Sequence, residues 1–193
     1  TLVAGLIHAV APEADLVPIR AFDSNGNSTL FIATAAIYAA VELNVDVINM
    51  SFSIGEDSTA FHSALDYAWA HGVTLVASVG NDGIDAGDIY PAAYPNVIAV
   101  AATDLEGHLA SFSNYGKSVE VTAPGTVVST YPGGLYARAS GTSFSAPLVS
   151  GSIALLVSIG NRNNAAAQAI VTTADSIADL NPDFNKRALG NGS

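Results

Sequence analysis

The sequence predicts an α/β protein, a three-layer sandwich in which helices cover both faces of a mostly parallel sheet. Short apolar runs rich in β-branched residues alternate with Ala-rich stretches of helical spacing, an order typical of βαβ units. Of the 193 residues, 50% are apolar and only 12% are charged, so the chain can bury a sizeable core. We expect one domain over residues 1–193.

The strands are predicted from apolar runs that suit burial on both faces of a sheet: Leu16–Phe22, Val45–Ser51, Val73–Val79, Val97–Ala102 and Val119–Ala123. The helices are predicted from spacing and end signals: Ser28–Leu43, Thr59–His71 with its stop at Gly72, Ser143–Ile159, and a peripheral Ala165–Ala174. Ser143–Ile159 begins apolar on nearly all sides, so we expect it to run through the interior.

Charge and cysteine content exclude several classes of function. There are 17 acidic and 6 basic residues, a net charge of −11, which disfavours nucleic acid and anionic membrane surfaces as partners. No apolar run reaches the ~18 residues that cross a bilayer. The absence of Cys excludes disulfides, thiolate catalysis and zinc-thiolate sites.

A candidate nucleophile lies just before the buried helix, in the segment Gly141–Pro147, which reads GTSFSAP. At such a loop-to-helix junction the hydroxyl of Ser143 is exposed, and its backbone N–H belongs to the unpaired first turn. That N–H can face an oxyanion at the positive end of the helix dipole. A Ser or Thr that only caps the helix is the common alternative.

These residues resemble the subtilisin-like serine proteases (the subtilase, or peptidase S8, family), whose nucleophile lies in a Gly-Thr-Ser-Met-Ala-x-Pro motif. Four further blocks agree in order: Val47–Phe52, Val76–Gly83, Tyr94–Val100 and Ala123–Gly125. The resemblance extends from Thr1 to about Gly192. It implies a subtilisin-like fold and a serine endopeptidase that cleaves peptide or protein substrates through an acyl-enzyme on Ser143. It also implies a secreted or periplasmic location.

The resemblance assigns Asn81 to the oxyanion hole. An amide carries two N–H donors and no charge, so it can stabilise a transient oxyanion without binding a resting carboxylate tightly. The alternative is structural, because Gly-Asn-Asp-Gly would form a tight turn in any protein.

The resemblance also implies a specificity pocket. Its two walls would be formed by Ser51, Phe52 and Ser53 and by Ala77, Ser78 and Val79. Gly is usual in the family where Ser53 stands, so Ser53 narrows this pocket or adds a donor to it. Phe144 replaces an oxidation-sensitive Met. The resemblance further implies a cis peptide at Tyr90–Pro91, in the loop beside this pocket, and X–Pro is the linkage in which cis costs little.

The catalytic base is the main departure from the family. The opening Thr1–Gly5, TLVAG, matches the His-Gly-Thr-x-Val-Ala-Gly motif only from its third position. The resemblance therefore implies that the catalytic His lies two residues before Thr1 and that the catalytic Asp lies further upstream. At the other end, Leu189–Gly192 resembles the family's closing Gly motif, before the helix that normally follows. We expect the 193 residues alone to be inactive.

Several alternatives follow from the missing base. Either His and Asp come from an N-terminal segment or from a separate chain, or the protein is a non-catalytic peptide-binding scaffold. The chain's own histidines are expected at the surface or at helix ends: His8, His62, His71 and His108. A mechanism in which Thr1 is an N-terminal nucleophile is conceivable but disfavoured. The sedolisin branch, which pairs Glu with Asp, has an Asp at the oxyanion position, and Asn81 speaks against it.

No cofactor or metal is predicted. The segment Asp23–Asn27 holds oxygen ligands close together but lacks the spacing of an EF-hand, so we interpret it as a turn, with calcium unsupported.

The family's Asp-bearing strand would lie between Leu16–Phe22 and Val45–Ser51. We expect an upstream peptide to fill that position, rather than a strand from another molecule or direct pairing of those two segments.

Overall fold

A computed structural model describes residues 1–161, 164–184 and 188–190. The helices are α1 (Leu2–Val10), α2 (Leu30–Glu42), α3 (Thr59–Ala70), α4 (Thr142–Ser158) and α5 (Asn164–Thr173), with a 3-10 turn at Ala178–Leu180. The strands are β1 (Val47–Met50), β2 (Thr74–Ser78), β3 (Val97–Thr103), β4 (Val121–Pro124), β5 (Thr126–Tyr131) and β6 (Leu135–Ser140). No described helix is both long and apolar enough to cross a bilayer.

The main sheet is parallel, with the strand order β1-β2-β3-β4. Its four strands confirm four of the five predicted ones, with slightly shorter bounds, and the four predicted helices are also present. Parallel neighbours require crossover connections. α2 precedes β1, while α3 supplies the crossover from β1 to β2.

Alternate residues of β2 point into two separate cores, which makes the sandwich three layers thick. Leu75 and Ala77 pack in a cluster with residues of α2 and α3, whereas Val76 packs in a second cluster with residues of α4. The period of two along a strand sends neighbouring side chains to opposite faces. The predicted architecture, with helices on both faces of the sheet, is therefore confirmed.

The interior helix α4 is covered on its far side by α1. At this crossing Gly151 permits close approach, because a Cβ added there would lie 2.8 Å from Val10 Cβ. Hydrogen bonds also tie the start of α1 to the β5–β6 hairpin: Ser129 Oγ donates to Leu2 O at 2.8 Å, and Thr130 Oγ1 donates to Thr1 O at 3.1 Å. The N-terminal helix is thus fixed beside α4, the helix that carries Ser143.

The predicted strand Leu16–Phe22 is wrong. The segment is not part of a sheet, and Leu16 and Val17 are 41% and 45% exposed. A strand exists only where a neighbour supplies ladder hydrogen bonds. Within the described residues, the only ladder neighbour of β1 is β2. Direct pairing of Leu16–Phe22 with the Val45–Ser51 region, which would have contradicted our expectation, does not occur.

The antiparallel hairpin of β5 and β6 was not predicted. Its register runs from Thr126 opposite Ser140 to Tyr131 opposite Leu135. The sequence does contain a turn signal, the pair of glycines in Pro132–Gly134. In the structure both Gly133 and Gly134 adopt positive φ. A short Gly-containing loop between two strand-length runs is typical of a hairpin.

Thr74 offers a test of the core. Its side chain is fully buried, and its Oγ1 has no hydrogen-bond partner among the described residues. We expect Thr74→Val, which removes the hydroxyl and keeps the shape, to raise the free energy of unfolding by about 1 kcal/mol in thermal or urea denaturation. The control Thr74→Ser keeps the hydroxyl, loses the methyl and should destabilise. A loss of stability in Thr74→Val would show that the hydroxyl is satisfied.

Candidate active site

Ser143 is the second residue of α4, and the helix N-cap is Gly141, whose φ of 150° suits glycine. The side chain of Ser143 is half-buried. Its Oγ lies 3.5 Å from the backbone oxygen of Ser51. In the described chain the N–H of Ser143 has no hydrogen-bond acceptor, as expected for the first turn of a helix. The hydroxyl and a free donor therefore come from the same residue.

Asn81 lies against the same helix terminus. Its Oδ1 accepts hydrogen bonds from Thr142 N at 2.7 Å and from Thr142 Oγ1 at 3.0 Å. Gly80 N donates in turn to Thr142 Oγ1 at 3.2 Å. Because an N–H can only donate, the amide must present Oδ1 to Thr142, and this leaves Nδ2 as a free donor. The side chain of Asn81 is exposed, so that donor is accessible.

The loop that carries Asn81 is held from beneath by Asn114, a fully buried side chain. Asn114 Nδ2 donates to Val79 O at 2.9 Å, and its Oδ1 accepts from Asp82 N at 2.9 Å and Ile84 N at 3.1 Å. Gly80, with a φ of +100°, packs so closely that an added Cβ would lie 2.5 Å from Asn114 Nδ2. Asn114 and Thr142 were not among the predicted site residues, because nothing in their spacing reveals contacts across 30 or more residues.

The residues predicted to line the specificity pocket fall into two groups. Ser51 and Phe52 are half-buried and Ser53 is exposed, just after β1. The other three are buried at the carboxyl end of β2 or directly after it: Ala77, Ser78 and Val79. The first group follows β1, and the second group ends β2 or follows it directly. Because β1 and β2 are parallel neighbours, both groups lie at the same edge of the sheet. Their role in substrate binding stays a prediction.

The loop next to these residues contains the cis peptide Tyr90–Pro91, as predicted. Ile54 N donates to Tyr90 O at 2.7 Å and joins this loop to the segment after β1. The ring of Tyr90 packs on Tyr94 with centroids 4.4 Å apart. Burial, together with a hydrogen bond to Asp57 and the charge of that carboxylate, raises the pKa of Tyr94 to about 12. Tyr94 therefore stays neutral at physiological pH.

None of the chain's four histidines is hydrogen-bonded to Ser143. His8 is exposed on α1. The other three contact a neighbour four residues away: His62 Nε2 lies 3.7 Å from Asp66 Oδ2, His71 Nδ1 lies 2.8 Å from Tyr67 O, and His108 Nδ1 lies 3.2 Å from Asp104 Oδ2. Each of these polar contacts stays within its own helix or turn, and the ring of His62 also stacks on Tyr94 with centroids 4.5 Å apart.

The segment Asp23–Asn27 is closed by its own hydrogen bonds. Asp23 Oδ1 accepts from Asn25 N at 2.9 Å and from Asn27 N at 2.8 Å. This is the geometry of an Asx turn. Across the described ranges, no group of three or more His, Cys, Asp or Glu side chains is placed to hold a metal ion.

Comparisons with known proteins show what the chain is similar to. The family described as "Subtilase family" matches residues 1–192. The chain is 47% identical to the Thermophilic serine proteinase of Bacillus sp. (strain AK1) over 180 residues, 92% of this chain and 44% of that protein. It is 39% identical to Thermitase of Thermoactinomyces vulgaris over 173 residues, 89% of this chain and 62% of that protein.

Among solved structures, a cold adapted subtilisin-like serine proteinase matches with a TM-score of 0.86 and 30% identity. That match covers 91% of this chain and 67% of the other. The chain spans less than two thirds of the length of the two curated relatives named above, at 44% and 62%.

Proposed function

Since the chain belongs to the subtilase family, we propose that it is part of a serine endopeptidase that hydrolyses peptide bonds through an acyl-enzyme on Ser143. The observation that carries this proposal is the fixed orientation of the Asn81 amide. Thr142 donates two hydrogen bonds to Oδ1 of Asn81, which leaves Nδ2 as a free donor beside the N–H of Ser143. Two neutral donors beside one accessible hydroxyl suit the developing oxyanion of acyl transfer.

The reaction would proceed in two stages. Ser143 Oγ attacks the carbonyl carbon of the scissile peptide bond while a base takes the hydroxyl proton, and Asn81 Nδ2 and Ser143 N–H hold the oxyanion. Collapse of the tetrahedral intermediate breaks the C–N bond, and the base returns its proton to the leaving amine. Water then hydrolyses the ester by the same steps in reverse.

We propose that the base and its orienting carboxylate are supplied by residues outside these 193, in the same polypeptide or in a separate chain. Two features support this. His62, His71 and His108 contact residues other than Ser143, and His8 is exposed. Leu16–Phe22 joins no sheet, and in the described part β1 pairs with β2 alone. On this proposal the 193 residues alone are inactive.

A non-catalytic peptide-binding scaffold is the second candidate, favoured only by the fact that none of the four histidines is hydrogen-bonded to Ser143. Hydrolysis of denatured casein and of short peptides by the full-length protein separates the two. The proposed endopeptidase cleaves internal bonds, and Ser143→Ala abolishes the cleavage. Peptide binding without cleavage by the full-length protein would establish the scaffold.

We further propose a secreted or periplasmic location, as the resemblance implies. Detection of the protein in the culture medium or periplasmic fraction would support it, and confinement to the cytoplasm would overturn it.

A further inference from the structure

Pro147 leaves a gap in the hydrogen bonding of α4. It lies inside the helix, five residues after Thr142. In an α-helix the N–H of residue 147 would donate to the carbonyl of residue 143. Proline has no N–H, and its ring pushes the carbonyl four residues earlier away from the helix axis. The carbonyl left without its helical donor therefore belongs to the nucleophilic residue, Ser143.

Ser51, which directly follows β1, supplies the replacement. Its Oγ donates to Ser143 O at 2.9 Å, and its own backbone oxygen lies 3.5 Å from Ser143 Oγ. Ser51 therefore contacts the nucleophile residue twice, once at the carbonyl and once at the hydroxyl. An isolated side-chain cap would make only one such contact.

Ser51 is itself braced by a short polar chain across the layer between sheet and helix. Asn49 Nδ2 donates to Ser51 Oγ at 2.9 Å. The hydroxyl of Ser150 lies 3.0 Å from Asn49 Oδ1 and 3.0 Å from Ala146 O. Because Asn49 donates to Ser51 Oγ, the proton of Ser51 is directed at Ser143 rather than at Asn49.

We propose that Ser51 is a positioning residue, whose hydroxyl replaces the N–H that Pro147 lacks and so fixes the carbonyl and the side chain of Ser143. This rests on the proposed function of Ser143 as a nucleophile. Without the bond, the first turn of α4 can rotate to find another donor for the Ser143 carbonyl. Such a rotation moves both Oγ and the N–H that serves the oxyanion, and displacements of this kind reduce rate.

The test is a double-mutant cycle in the full-length protein, combining Ser51→Ala with Pro147→Ala. We expect Ser51→Ala to lower the rate of fluorophosphonate labelling of Ser143 by about tenfold to a hundredfold, and to lower Tm by about 2–4 °C. Pro147→Ala restores a helical N–H for the Ser143 carbonyl. In that background Ser51→Ala should change the labelling rate less than about twofold and Tm by less than about 1 °C.

The matched control is Ser152→Ala on the same helix. Its hydroxyl donates to Leu148 O at 3.0 Å, a carbonyl that already has a helical donor, so the labelling rate should not change. Ser51→Thr keeps the hydroxyl and should retain most of the rate.

Three results would overturn the proposal: no effect of Ser51→Ala, a lower Tm with unchanged labelling of folded protein, or losses that Pro147→Ala does not rescue. Absence of labelling in the unsubstituted full-length protein would instead refute the proposed function. In that case the Tm cycle still decides whether Ser51 replaces the missing donor.

Discussion

Fluorophosphonate labelling of Ser143 is expected to be at least about three orders of magnitude slower in the 193-residue chain than in the full-length protein. Loss of the catalytic triad (nucleophile, base and orienting carboxylate) lowers the rate by a factor on the order of 10⁶. Substrate binding and the oxyanion hole preserve only a small part of the catalytic acceleration. The rates are measured on folded samples by gel fluorescence or intact mass.

Two controls complete that experiment, one variant and one added chain. Ser143→Ala in the full-length protein should not be labelled, and a second chain carrying the upstream segment should restore the rate of the 193-residue chain. Equal labelling of the short chain and the full-length protein would mean that one of its own groups is the base, such as His8 or the Thr1 amine. The proposed origin of the base would then be wrong.

Replacement of Asn81 is expected to have the second largest effect. Asn81→Ala should lower kcat by about 10²–10³, the usual result of removing one oxyanion donor. Because Oδ1 also accepts from the N–H of Thr142 at 2.7 Å, part of the helix terminus is lost in this variant as well. Stability must therefore be separated from catalysis.

Asn81→Asp achieves that separation. The carboxylate keeps an acceptor for Thr142, but when ionised it cannot donate and repels an oxyanion. We expect the thermal stability to stay close to that of the unsubstituted protein, with a loss of kcat at least as large as in Asn81→Ala. Asp82→Ala, an exposed neighbour that uses only its backbone N–H to bond Asn114, serves as the control. Full activity of Asn81→Asp at neutral pH would exclude Asn81 Nδ2 from the reaction.

The parallel sheet and the helices could be predicted because their signals are local. Burial on both faces makes each central strand a continuous apolar run, as in Val97–Thr103, where every residue is buried. The same rule failed for Leu16–Phe22, since an apolar run specifies a strand only if a neighbour completes the ladder. The hairpin of β5 and β6 was missed because its strands are mostly exposed and do not read as buried runs.

Only the chemically distinctive part of the site could be predicted. Ser143 and Asn81 stand in recognisable blocks, and the structure brings both to one helix terminus. The residues that orient them are contributed by distant parts of the chain: Asn114 is 35 residues from the carbonyl of Val79 that it binds, and Ser51 is 92 residues from Ser143. Such pairings depend on the fold. Even so, the Pro at position 147 shows in the sequence that the Ser143 carbonyl needs an outside donor.

Mass-spectrometric mapping of the fluorophosphonate adduct in the full-length protein tests the central assignment most directly. We expect a single adduct, on the peptide that contains Ser143. An adduct on Thr1 or on any other residue, with Ser143 unmodified in the folded protein, would contradict it.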